Sequence, residues 1–470
     1  MLKFTLLFNL DETGENKSKA KPPRNRRLVL ESLERREMLS VSTADFNTIK
    51  ANYAELGLTN FTDYTIHEVG GTTQGAGQQL YTSSAASLQQ AINEAPASKT
   101  LIVVRTTAGA SIAQNTIKLA GAELAINNKN VTIVSLSNTG NTDTPLIING
   151  DQGSRVFNIG STSTVALAGL TITGGRNRMA FGYGGGIYNS GTLMVTDCTI
   201  KGNSTMFFGY GGGIYNFGKL TVTDSVISEN TMTAGGGIAN DGTATVKNST
   251  IKGNTALGNG GGIFNTGTLT VTGGSIIKEN TSTADSAKSG TSRTGGGGIF
   301  NSGTAMIESS TIANNQVPTG DERYGGGILN TESGRLTVTS SYIVGNYANR
   351  GGGIGNIGTD NARMTITNSV IAGNRATARG GGIWTWNTTT ITNCTIAGNR
   401  AEYGSGIYTY AKTTTLYNTI VSMNTGSNDV RQEGGTITGT NNYIHSQTNL
   451  SSSFRNNSTN IIEALLIHLL

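Results

Sequence analysis

The string Gly-Gly-Gly-Ile, as at Gly184 to Ile187 and Gly211 to Ile214, recurs along the second half of the chain. Recurrence at a near-constant spacing confines the fold to stacked repeats. Aligned on the Ile, the column reads Ile187, Ile214, Ile238, Ile263, Ile299, Ile328, Ile354, Ile383 and Ile407, with spacings of 27, 24, 25, 36, 29, 26, 29 and 24 residues. A second column in step with it has the form Ile-x-x-Asn: Asn203, Asn230, Asn254, Asn280, Asn315, Asn346, Asn374, Asn399 and Asn424.

Between the columns lie runs such as Thr192 to Thr196, Thr268 to Thr272 and Met364 to Thr367, where Thr alternates with Leu, Val and Ile. Such alternation reads as strand. Each unit holds three short strands, around the Gly-Gly-Ile, the Leu-x-Val and the Thr-Ile, with Gly, Asn, Asp and Ser at the corners. A unit of about 27 residues cannot bury its own apolar side and must stack on copies of itself, which predicts an all-β parallel β-helix. Stacked Asn residues bond backbone and neighbour, and Gly bends the chain where a Cβ would clash. Leucine-rich repeats would need several Leu per unit, and a hexapeptide left-handed helix would show period six. Nine coils are visible directly. The stretches Leu101 to Val104, Val131 to Val134, Leu146 to Ile148 and Val165 to Thr173 supply about three more, for about twelve coils in all.

Composition narrows the class. The 470 residues include 66 Gly and only 13% charged residues, without a Gly-X-Y period, which excludes collagen. The net charge of +5 is concentrated near the start, where residues 1–40 carry nine Lys or Arg against six Asp or Glu, so nucleic-acid binding is not expected. Cys198 and Cys394 fall in a column otherwise held by Ser225, Ser249, Ser275, Ser310, Ser341 and Ser369. Seven coils apart, about 34 Å, they cannot bridge. They read as small buried fillers. No apolar run is long enough for a membrane helix.

Residues 1–40 read as a basic N-terminal export or targeting segment. Residues 41–99 form an N-terminal cap region with two amphipathic helices, Ser42 to Leu56 and Ser87 to Ala95. Residues 100–445 make the β-helix, and residues 446–470 a C-terminal cap or tail.

The tract Leu33 to Ser40 resembles the short Leu-Glu-x-Arg-x-x-Leu-Leu motif at the N-termini of large planctomycete surface proteins. The blocks Arg155 to Gly160 and Leu170 to Gly175, followed by the Gly-Gly-Gly-Ile-Tyr-Asn series, resemble the bacterial right-handed parallel β-helix family and are similar to the repeat of polymorphic outer-membrane proteins. The tail Asn418 to Asn424, then Asp429-Val430 and Gly439 to Ile444, resembles the closing coil of surface proteins classed by their variable anchors. The resemblance covers roughly residues 87–445 and implies right-handed winding and a cell-surface location. One such fold hosts adhesins, lyases and structural rods alike.

A catalytic β-helix normally displays carboxylates, or a calcium ion with a basic residue, on one strand face. The weak catalytic candidates here are Asp197 and Asp224, stacked on neighbouring coils, with Asp321 and Glu322. The column of the first pair continues as Asn248, Ser309, Ser340, Asn368, Asn393 and Asn418, a turn composition that favours a structural role. His67, His445 and His468 are too scattered for a triad or a zinc site. No metal or cofactor is expected.

Nearly all length variation falls between the Asn column and the next Gly triplet, so one corner carries every loop. Those loops hold Arg176, Arg178, Arg293, Arg323, Arg350, Arg375, Arg379 and Arg400, together with Phe181, Tyr183, Phe207, Phe208, Tyr210, Tyr324, Tyr347 and Tyr403. Planar hydrogen bonding and ring stacking suit acidic polysaccharide or a partner surface protein. The favoured reading is a non-catalytic exported surface β-helix, adhesive or structural. The alternative is a polysaccharide lyase or glycoside hydrolase acting on acidic polysaccharide.

Overall fold

The computed structural model describes residues 41–70, 79–81, 83–107, 111–137, 146–178, 181–205, 208–283, 294–318, 320, 322–358 and 361–462. They form an all-β parallel solenoid of about twelve turns with few helices. Three long sheets, of 15, 14 and 13 strands among the described residues, run its length. Strands Ile187–Asn189, Thr192–Thr196 and Thr199–Lys201 fall one in each of them. Every pairing between successive coils is parallel, and the Ile column is in register: Ile187 pairs with Ile214, Ile214 with Ile238 and Ile238 with Ile263.

The register explains the core. Each column Ile has no exposed surface and stacks with the Leu, Val and Ile of the other two sheets in one continuous cluster. Full burial of such a side chain is worth about 1.5–3 kcal/mol, and the column multiplies it coil by coil. The Gly triplets are dictated by backbone proximity. Gly184 and Gly211 have φ of 66° and 72°, and a Cβ on Gly186 or Gly213 would lie 2.6 Å from the carbonyl oxygen of the next coil's Gly213 or Gly237. No larger residue fits there.

Asn side chains inside the wall bond one another in ladders. Asn315 Nδ2 donates to Ile277 O at 2.9 Å and to Asn346 Oδ1 at 3.0 Å, while Asn280 N and Nδ2 each donate to Asn315 Oδ1 at 3.0 Å. A second ladder, formed by the Asn two positions after each column Ile, links Asn189, Asn216, Asn240, Asn265, Asn301 and Asn330, each amide donating to the next at 2.7 Å, and ends with Asn330 donating to Asn356 at 2.9 Å. Cys198 and Cys394 are buried and free, and their sulfurs sit in the Ser column, beside Thr196 O at 3.2 Å and Thr392 O at 3.1 Å.

Helix α1 (Thr43–Asn52) begins with a capping box between Ser42 and Asp45. It is shorter than the spacing predicts: the chain tightens into a 3-10 turn at Ala54–Leu56 and stops at Gly57, whose φ is 59°. Its Phe46 and Ile49 pack with Leu101, Val103, Val134, Leu136 and Ala168 on the outer side of the 15-stranded sheet. Ile102 and Val104 face the main core, so strand Lys99–Thr106 is covered on both faces and needs its unbroken apolar run. Helix α2 (Ala85–Glu94) instead adds Leu88, Ala91 and Ile92 to the main core. The 15-stranded sheet starts before residue 100, with strands Thr65–Val69 and Gln79–Tyr81. Phe454 and Leu450 close the core at the other end.

Candidate functional site

The loop corner lies between the 14-stranded and 13-stranded sheets, and it is more ordered than a set of loops. Its segments form short parallel strands of their own, in sheets of five, two and four strands among the described residues. One register column runs Arg176, Ser204, Thr231, Thr255, Thr281, Gln316, Tyr347, Arg375, Arg400 and Thr425. A second runs Tyr324, Arg350, Arg379 and Tyr403. Arg375 therefore lies directly opposite Arg400, and Arg350 directly opposite Arg379. Like charges paired across strands oppose one another.

Tyrosine rings and few acids offset that repulsion. The Arg350 guanidinium lies 5.5 Å from the Tyr324 ring and donates to its hydroxyl at 2.9 Å. Arg375 lies 5.7 Å from Tyr347, Arg379 5.3 Å from Tyr408, and Arg431 4.6 Å from Tyr403. Glu322 approaches Arg350 at 3.8 Å, and Glu433 accepts from Arg431 at 2.8 and 2.9 Å. Among the described residues no carboxylate is ion-paired to Arg375, Arg379 or Arg400. Arg375 and Arg400 are exposed, and with Thr377, Glu402, Thr425 and Gly426 they line an open cleft of about 390 Å³. A hydrogen bond to Glu402 pushes the Tyr403 phenol above its usual range.

A second cleft, of about 560 Å³, opens at the other end of the same edge, lined by Glu123, Ser154, Arg155, Asn177 and Arg178. Arg155 pairs with Glu123 at 2.8 Å and lies over the Tyr188 ring at 5.1 Å. Arg178 donates to Gln152 O at 3.0 Å, and Arg176 sits half-buried beside it. Arg323 donates to Thr294 Oγ1. Phe208 and Tyr210 pair in register with Phe181 and Tyr183, and the rings of Tyr183 and Tyr210 stack at 5.9 Å. Arg293, Phe207 and Asp321 lie outside the described residues, as does His468.

The outward rings next to the Ile column pack as strand alternation predicts. Tyr188 stacks on Tyr215 and Phe264 on Phe300, at 5.6 and 5.0 Å. Tyr215 donates to Asp241 Oδ2 at 2.5 Å; burial first, then that bond, raises its phenol.

Asp197 and Asp224 belong to another corner, before strand Thr199–Lys201 rather than after it. Both have φ of 49°, and Asn248, Asn368, Asn393 and Asn418 repeat the left-handed conformation at their positions. Asp224 accepts a hydrogen bond from Asn248 Nδ2. Burial, then the neighbouring Asp224, raises the Asp197 carboxyl. The pair is thus adjacent but on a different corner from the Arg clefts, and of the three described carboxylate candidates Glu322 is at the Arg edge. Among the described residues no three His, Cys, Asp or Glu side chains gather as a metal site. His67 is buried against Ala91 O at 2.9 Å.

Residues beyond the sequence expectation join the C-terminal cluster: Arg431, Glu433, Trp386 and Tyr410. The last two were legible in principle, since they stand two positions after the outward Trp384 and Tyr408 on the same alternation.

No family model and no curated protein matches the chain. Among solved structures the chain is similar to the alginate lyase from Paenibacillus sp. str. FPU-7, at 13% identity over 81% of this chain and 96% of that one, with a TM-score of 0.18. At that score the likeness bears on neither fold nor activity.

Proposed function

We propose that this chain is a non-catalytic, exported, cell-surface solenoid that binds acidic glycan along its Arg and Tyr corner. In this reading the winding is right-handed, as crossovers between parallel strands generally are. Each coil carries three short strands, and residues 41–99 act as a helical cap that keeps the first strands from pairing with other chains. Export rests on the basic tract and the Leu33 to Ser40 motif.

The observation that carries the binding role is the directly opposed pair Arg375 and Arg400, exposed at the cleft without a carboxylate partner among the described residues. A carboxylate between two guanidiniums would relieve their repulsion and gain paired hydrogen bonds. Tyr347 holds Arg375, and Tyr403 holds Arg431, by cation–π contacts. Glu402 supports the second reading, a lyase or hydrolase, because it lines the same cleft and bonds Tyr403.

Binding of polygalacturonate to the full chain, followed by calorimetry, separates the readings when products are assayed alongside. Affinity that falls steeply with ionic strength and is lost in an Arg375→Glu/Arg400→Glu variant supports the proposal. Unsaturated or new reducing ends in the mixture would establish the enzyme instead. Unchanged binding by the double variant would discard the corner as the binding surface.

A further inference from the structure

An exposed aromatic pair stands across the 13-stranded sheet from the Arg cleft. From Arg379, whose guanidinium lies over the Tyr408 ring at 5.3 Å, the outer face of the 13-stranded sheet carries the buried Trp384 and Tyr408, each 1% exposed. Beyond them, on the far side of strands Ile383–Thr385 and Ile407–Thr409, stand Trp386 and Tyr410, which are 39% and 36% exposed. Their ring centroids lie 4.6 Å apart, tilted by 46°, and Trp384 meets them at 6.2 and 6.3 Å. Arg431 and its partner Glu433 flank the same band, Arg431 over the Tyr403 ring at 4.6 Å.

Large rings left open on a rigid wall need a reason, since the rings of the same stripe elsewhere cover one another. Tyr417 and Phe217 are also exposed but stand without a stacked ring neighbour among the described contacts. Tyr183 and Tyr210 are as exposed and stack at the other end of the edge; the Trp386 and Tyr410 pair is joined by Trp384 and Tyr408, paired in register, to Arg379, on the strand that also carries Arg375. Apolar ring faces next to guanidiniums match a ligand that presents C–H faces and carboxylates together, as a uronate sugar does. Single-stranded nucleic acid shares part of that chemistry, but a net charge of +5 spread over 470 residues lacks the basic field such a partner requires.

We infer that Trp386 and Tyr410 form a stacking platform for the pyranose rings of a uronate oligosaccharide, which crosses the outer face of the 13-stranded sheet with carboxylates held at Arg375 and Arg400. The ligand therefore lies across the coils instead of along the rod. The inference rests on the acidic-glycan reading of the cleft, and it names the sugar class and the path.

The chain's two tryptophans make the test direct, because Trp384 is buried and Trp386 is not. Acrylamide quenching of the full chain is measured with and without hexagalacturonate, in the presence of a chelator, with cellohexaose and hexathymidylate as comparison ligands. Expected are protection of Trp386 from acrylamide by hexagalacturonate alone, and an affinity about tenfold weaker in Trp386→Ala or Tyr410→Ala, with melting unchanged. If hexagalacturonate binds, and needs Arg375 and Arg400, but leaves Trp386 equally open to acrylamide, the platform is wrong while the cleft stands. Equal affinity for cellohexaose, or tighter binding of hexathymidylate, overturns the choice of a uronate. No binding of hexagalacturonate by the unaltered chain removes the acidic-glycan reading itself. Quenching of the unaltered protein keeps the test open should either variant misfold.

Discussion

The interior amides show how much of this wall depends on single side chains. Removing the Asn315 side chain would strip a donor from Ile277 O and Asn346 Oδ1 and an acceptor from Asn280, all fully enclosed. Asn346 Oδ1 keeps the bond from Asn315 N and Asn280 Nδ2 the one to Ile251 O, so Asn280 N and Ile277 O lose most; at about 1–3 kcal/mol for each, Asn315→Ala should lose at least about 2 kcal/mol in a urea titration. Asp197 sits at the opposite extreme. Its carboxyl is raised by burial and by Asp224, so the folded state holds its proton more tightly than the unfolded chain does. That contribution favours folding below the unfolded value and turns into a penalty as pH climbs through the folded value. Asn already serves the same left-handed corner at Asn248 and Asn368. Asp197→Asn should therefore leave melting at neutral pH unchanged or higher by about 0.5 kcal/mol, since the exposed pair is well screened. A clear destabilisation would show that the pair does something a turn does not require. The Cys198 thiol, pushed up to about 12 chiefly by burial, with Asp197 adding to it, should resist iodoacetamide at pH 8 until the protein is unfolded.

At the scale of elements, α1 is the part held from outside. It rests on Phe46 and Ile49, and on Arg105, which donates to Asp45 at 2.9 Å and to Glu68 at 2.5 Å. Burial works against the charge on Asp45, but bonds from Arg105 and Ser42 outweigh it and hold its pKa below the usual carboxylate range. A depressed carboxyl stabilises fully above its unfolded value and loses that contribution as pH falls through the folded one. The helix should thus loosen below about pH 4, before the solenoid opens. Hydrogen exchange at Phe46 and Ile49 as pH is lowered would reveal this, and Asp45→Ala should produce the same loosening at neutral pH. Simultaneous melting of α1 and the coils would contradict a separable element. The α2 helix should behave oppositely, because Leu88, Ala91 and Ile92 are part of the continuous core.

For the molecule as a whole, contacts between adjacent coils carry the stability, so the length of the rod is adjustable. Excising residues 238–262 would join Gly237 to Ile263 and restore the motif without altering any register column. The shortened chain should fold with the same circular dichroism signature and a modestly lower denaturant midpoint. Failure to fold would mean that coils are not interchangeable units. Excision leaves the C-terminal Arg and aromatic band intact, so glycan binding should persist.

Periodicity alone specified the stacking, because a repeat whose apolar positions recur in register has only its neighbours to bury them against. The Ile column, the first Asn ladder and the Ser-like place of the cysteines were all legible for that reason. The arginine-bearing corner was legible as a position, since length variation exposes where chain can be inserted. Which arginines oppose one another was not, because that depends on short strands whose register loops of unequal length conceal. Tertiary structure also decided where α1 lies, by covering the outer face of strand Lys99–Thr106. It likewise brought Trp386 and Tyr410 together on neighbouring coils, against Trp384, although 24 residues of chain separate them.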